Sequence, residues 1–204
     1  PDLKYQLLSN EIKNISSVII THEHADQTNG LFELRPFFWK NKKKINIYGD
    51  SYTMKHLKRR MDYLFNRIKM SAYRPIVRSN VIKSKFSLGK SDEKIFFNTI
   101  RVQHGEITSL GYIFEKVAYI SDCNDLSIIK KRELKNLKYL IIDCLKIKKH
   151  PTHFNLNTSL YIHNHLKPRK TILTNLHYDL DYDFLCKKLP NNVQPAYDGL
   201  KLNL

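Results

Sequence analysis

The segment Thr21-His22-Glu23-His24-Ala25-Asp26-Gln27 brings two imidazoles and the Asp26 carboxylate into five residues, directly after the apolar run Val18-Ile19-Ile20. Side chains two apart on an extended chain point the same way, so His22 and His24 are expected to aim at one point. Asp26, where the chain turns into a helix, is expected to aim there too. Nitrogen and oxygen donors in that pattern suit a zinc-type ion, at distances of about 2.0–2.2 Å. Other candidate ligands follow other apolar runs. His104 follows Ile100-Arg101-Val102-Gln103, and Asp122 follows Val117 to Ser121. His150 and His153 come after the strand ending at Asp143, and His177 after Ile172-Leu173-Thr174. Strand ends along one edge are where α/β folds assemble sites. The joint placement of these groups points to a metal centre, although each histidine taken singly reads as structural.

The elements that must position them alternate. Strands are expected at 15–21, 45–48, 94–103, 109–114, 116–121, 139–143 and 170–174, with a last one at 199–202. Helices are expected at 1–9, 26–37, 51–65 (capped by Ser51, with Met54, Leu57, Met61 and Leu64 on one face), 125–134, 156–166 and 181–189. The stretch 71–91 reads as irregular or as a hairpin. Strands with interleaved helices make the chain α/β, and residues 1–204 read as one domain. His56, His163 and His165 fall within helices and are expected to face solvent. The aromatic residues are expected in the core, without a nucleobase-stacking pattern.

Composition narrows the partners. The chain has 204 residues, 42% of them hydrophobic, and 35 Lys+Arg against 19 Asp+Glu give a net charge of +16. That charge attracts polyanions. The lysines are nevertheless scattered through Asn/Ile/Lys-rich segments such as 41–44 and 146–149, so nucleic acid is a permitted partner and not the favoured one. No apolar run approaches the roughly 18–20 residues of a membrane span. Three cysteines without CxxC spacing suggest reduced thiols and a cytoplasmic location.

With these residues assembled, the chain resembles metallo-β-lactamase-fold hydrolases. More narrowly it resembles the subgroup around the cyclic-phosphate phosphodiesterase of the phosphonate-degradation pathway. The matching stretches are 21–30, 103–112, 119–122, 140–145, 150–156, 173–182 and the tail 195–200, in the family's order. The resemblance implies an αββα sandwich. Because Pro1-Asp2-Leu3 matches a point well inside the family pattern, it also implies that the first N-terminal strands are absent. His22, His24 and His104 would hold a first metal, Asp122 would bridge two, and Asp26 would serve the second. Gln27 and Asn175 stand where the family has histidines. An amide oxygen is a poorer ligand than imidazole, so the second site is weakened. Three consequences stay open: one firmly held ion, His177 turning in as the missing donor, or lost activity. Zinc is the expected metal, with manganese or iron suited to an oxygen-rich second position.

The activity so implied is hydrolysis of a small cyclic phosphate or related phosphodiester by a metal-activated water. Asp26 would orient the water or accept its proton, and His153 would contact phosphate or act as general acid. A tRNA-processing-like nuclease and a weakened remnant that binds without turnover are the alternatives. Self-association is compatible with the sequence.

Overall fold

The computed structural model describes residues 2–67 and 72–204. Pro1 and the start of the 71–91 stretch lie outside the described residues. The chain forms two compact units, Pro1–Lys83 and Ser84–Leu204.

The first unit is built on a three-stranded parallel sheet in the order β1 (Ser17–Ile19), β2 (Ile45–Gly49), β3 (Val77–Val81). Helix α1 (Leu3–Ser9) precedes it. The helix expected at 26–37 is three pieces: α2 (Ala25–Thr28), a 3-10 segment Asn29–Leu34, and α3 (Arg35–Asn41). Asn29-Gly30 favours the break, and Pro36 fits only near a helix start, since its ring would clash with the preceding turn. The helix expected at 51–65 is likewise α4 (Ser51–Arg60) and α5 (Asp62–Phe65). Its cap is Asp50 rather than Ser51: the Asp50 carboxylate accepts the Thr53 N–H at 2.8 Å. Met54, Leu57 and Leu64 are buried with Leu34, Ile47 and Ile76 in this unit's core.

The second unit carries a seven-stranded sheet in the order β10-β9-β8-β7-β6-β5-β4. Its strands are β4 (Lys85–Leu88), β5 (Ile95–His104), β6 (Ile107–Phe114), β7 (Val117–Ile120), β8 (Tyr139–Asp143), β9 (Lys170–Thr174) and β10 (Val193–Pro195). Pairing is antiparallel from β4 to β7 and parallel from β7 to β10. Helices α6 (Leu156–Leu166) and α7 (Tyr182–Lys188) return the chain between parallel strands. The α/β class is thus as expected, with local corrections. Residues 125–134 form two 3-10 segments, Leu126–Lys130 and Arg132–Leu134, because the Asp125 carboxylate accepts the Ser127 N–H and closes a tight turn. The last strand is 193–195, and 199–202 is not a strand. The irregular stretch hides β3 and β4, which belong to different sheets.

The second core gathers Ile120, Leu140, Ile142, Ile162 and Leu173. Cys123 and Cys144 are buried in it, and Cys186 is exposed. His163 does not face solvent: it is 5% exposed, with Nδ1 2.8 Å from the Thr171 hydroxyl. Ser159, Ile162 and His163 form the buried stripe of α6, the 3-4 spacing of one helix face. His165 is exposed, as expected.

Candidate metal centre

In the second unit the site is raised on strand ends. β5 alternates buried and exposed residues near its end, and Ile100, Val102 and His104 share the buried face. Gly105, at φ +61, turns the chain into β6, and a Cβ there would meet Thr152 Cγ2 at 2.5 Å. The close approach lets the Thr152 carbonyl reach His104 Nδ1 at 2.8 Å. Asn124 ties the same loops, accepting the Gly105 N–H at 3.2 Å and donating to the Pro151 carbonyl at 2.6 Å. An imidazole that gives Nδ1–H to a carbonyl presents Nε2 as a lone pair, as metal-binding histidines do.

His104 Nε2 lies 4.0 Å from Asp122 Oδ1, and His153 Nδ1 lies 3.8 Å from the same oxygen. One ligand atom from each of His104, Asp122 and His153 falls within 4.8 Å of the others. Asp122 is 1% exposed, and its Oδ2 has no hydrogen-bond partner among the described residues. A buried carboxylate oxygen without a donor costs free energy unless a cation meets it. These residues therefore fit a divalent ion.

Asp143, at the end of β8, is fully buried. Its Oδ2 accepts from His153 Nδ1 at 2.9 Å, from the Cys123 N–H at 3.1 Å and from the Phe154 N–H at 3.2 Å. Burial pushes its carboxyl up, against the lowering effect of the His153 hydrogen bond. Asn175 has φ 64, and its amide nitrogen faces Asp122 Oδ1 at 3.4 Å, Asp143 Oδ1 at 3.3 Å and His153 Nδ1 at 3.3 Å. Where the family resemblance expects a histidine, an amide donor meets two carboxylates. A cleft of about 270 Å³ beside His153 is also lined by Asn124, Lys149, His150 and Thr158.

His177 takes another partner: its Nδ1 lies 3.0 Å from Asp179 Oδ1. It is not among the donor groups brought together in the described residues.

In the first unit the donors sit on a loop. β1 ends at Ile19, and residues 22–24 are not strand, so strand alternation does not align His22 with His24. Their rings nonetheless lie 4.6 Å apart at 72°. His22 is fully buried, with Nδ1 3.1 Å from the Thr21 hydroxyl, whereas His24 is exposed at the start of α2. Asp26 lies in the first turn of α2, and Gln27 Nε2 donates to its Oδ2 at 3.0 Å. Burial pushes the Asp26 carboxyl up, but the Gln27 hydrogen bond, the backbone N–H and the nearby His22 and His24 together hold it below the usual value.

Asp143 is a further functional residue, as the holder of His153. The signal was present, since Asp143 ends an apolar run as Asp122 does.

Residues 2–178 match the beta-lactamase superfamily domain. An octanoyltransferase of Porphyromonas gingivalis (strain ATCC BAA-308 / W83) is 26% identical over 204 residues, covering 98% of this chain and 40% of its own. A ribonuclease Z of Thermococcus sibiricus (strain DSM 12597 / MM 739) is 30% identical over 105 residues, covering 50% of this chain and 31% of its own. The chain spans less than half the length of either curated relative. A new diphosphatase from the PhnP family superposes with a TM-score of 0.85 at 29% identity, over 100% of this chain and 77% of that one.

Proposed function

The chain belongs to the beta-lactamase superfamily, and from that membership we propose that it is a metal-dependent hydrolase of a small cyclic phosphate or related phosphodiester. The observation that carries the reading is the convergence of His104, Asp122 and the half-buried His153, with the buried Asp122 Oδ2 unpartnered among the described residues. The similarity to a PhnP-family diphosphatase supports a phosphoester substrate. His104 and Asp122 supply metal ligands, as do His22 and His24 of the first unit. Zinc suits this donor set, with one ion held tightly and a second weakened where Asn175 offers an amide in place of an imidazole.

A bound divalent ion supplies positive charge for phosphoryl oxygens and makes a water molecule more acidic. The chain's own groups do the rest. Asp143 holds His153 by Nδ1, which leaves Nε2 to give a proton to the departing alkoxide. Asp26, kept ionised, orients water or takes its proton. Lys149 and His150, in the cleft beside His153, offer contacts to phosphate. A nuclease is the second reading, favoured by the match to ribonuclease Z over half of the chain.

Elemental analysis of protein purified without chelator, beside hydrolysis of a cyclic nucleotide and of an RNA oligomer, tests the proposal. We expect about one ion per chain and cleavage of the cyclic substrate that EDTA and Asp122→Asn abolish. Cleavage of the oligomer alone would move the assignment to the nuclease. Absence of both metal and turnover would overturn it. His153→Ala should lower turnover by about a hundredfold or more with metal content intact, and loss of the ion would refute its role as a proton donor.

A further inference from the structure

We infer that the first unit carries a docking cleft for single-stranded nucleic acid, at the end of its sheet opposite to the His22–His24 loop. The three strands β1, β2 and β3 are parallel. His22 and His24 follow the C-terminal end of β1, whereas Lys44 precedes β2 and Pro75 precedes β3. The two ends of a five-residue strand are separated by about 17 Å, so this cleft lies apart from those donors. It goes beyond the hydrolytic reading and does not depend on it.

The cleft measures about 520 Å³, and its lining includes Phe38, Lys44, Arg67, Tyr73, Arg74 and Pro75. Among the described lining residues there are three cations and no carboxylate. Tyr73 is 55% exposed, and the neighbouring Trp39 is 42% exposed. These rings are not core residues, contrary to the expectation from sequence. Cations are stacked among them: Arg74 lies 6.0 Å and Lys42 5.2 Å from the Trp39 ring centre. The Arg35 guanidinium lies 5.0 Å from the Phe32 ring and 4.9 Å from the Tyr73 ring. Its Nε and Nη2 are buried and make no hydrogen bond among the described residues. The Arg35 guanidinium thus sits against the face of Tyr73, a ring of the cleft lining.

Exposed rings interleaved with cations are what unpaired bases and their phosphates require. The faces of bases stacked within a duplex are not available to Tyr73 and Trp39, so the surface selects single strands. The volume is that of a small-ligand pocket, enough for a nucleotide unit of a longer strand.

The test is fluorescence anisotropy of the whole chain with a labelled oligothymidylate of about twelve nucleotides, its duplex with oligoadenylate, and phosphatidylserine vesicles. We expect the single strand to bind about tenfold more tightly than the duplex. Arg67→Ala with Arg74→Ala should weaken it about tenfold and flatten the salt slope by about 1.4, at roughly 0.7 per phosphate contact. Tyr73→Leu should weaken binding about tenfold, the order of one lost stack, without changing that slope. It keeps the proposal testable if the double variant misfolds. Equal binding to duplex, an unchanged slope in the folded double variant, indifference to Tyr73→Leu, or binding to vesicles alone would each overturn the inference.

Discussion

In the second unit the candidate donors are held from behind: His104 by the Thr152 carbonyl, His153 by Asp143, and Asp122 by burial at a strand end. In the first unit His24 is exposed on a loop, and Asp26 is tied to the neighbouring Gln27. His22 there is buried, with Thr21 against its Nδ1. A donor whose orientation is fixed before the ion arrives loses less freedom on binding. The difference teaches that the second unit's candidate donors are set by buried partners, whereas in the first unit only part of the set is buried.

Each unit also has its own core, and the largest effects should show whether the division is real. Leu57→Ala in the first and Leu140→Ala in the second remove fully buried side chains, at a cost of about 2–5 kcal/mol each. Hydrogen exchange should lose protection in β1–β3 for the former and in β4–β10 for the latter. Loss throughout the chain in both variants would show one cooperative unit and break the comparison.

A smaller effect sharpens the contrast in support. Asp143→Asn leaves the first unit's donors untouched and removes the group that fixes His153, so turnover should fall by about 10–100-fold, with Gln27→Ala changing it far less. Steady-state hydrolysis of a generic phosphodiester reads both, and the reverse ranking would place the dominant support in the first unit.

The smallest effect is a pH dependence of the second core. Burial holds the His163 imidazole below its ordinary value. A histidine depressed in the folded state favours folding above its unfolded pKa. That advantage is lost as pH falls below about 6.5. The urea midpoint should drop between neutral and mildly acidic pH, and His163→Gln should reduce the drop. An unchanged profile would remove His163 as its source.

The candidate donors at strand ends are legible because an apolar run followed by His or Asp marks them without knowledge of the topology. Helix α6 was legible to the residue, since Asn155 caps it by accepting the Thr158 N–H and its apolar positions keep helical spacing. β3 was not: Val-Arg-Ser-Asn-Val has one buried residue, Val77, and pairs with β2 at the sheet's edge. His163 departs from its expected exposure because a polar residue on a helix shows its face only when the partner, here Thr171, is known. The approach of His22 to His24 was anticipated for the wrong reason, a loop doing what strand alternation was expected to do.

The three thiols divide the chain's redox chemistry. Burial raises the Cys123 thiol and pushes Cys144 up to about 12, so neither forms the thiolate that oxidants attack. Cys186 lies exposed on α7. Air oxidation of the folded protein therefore runs through Cys186, linking copies by a disulfide while the buried Cys123 and Cys144 thiols stay chemically unchanged.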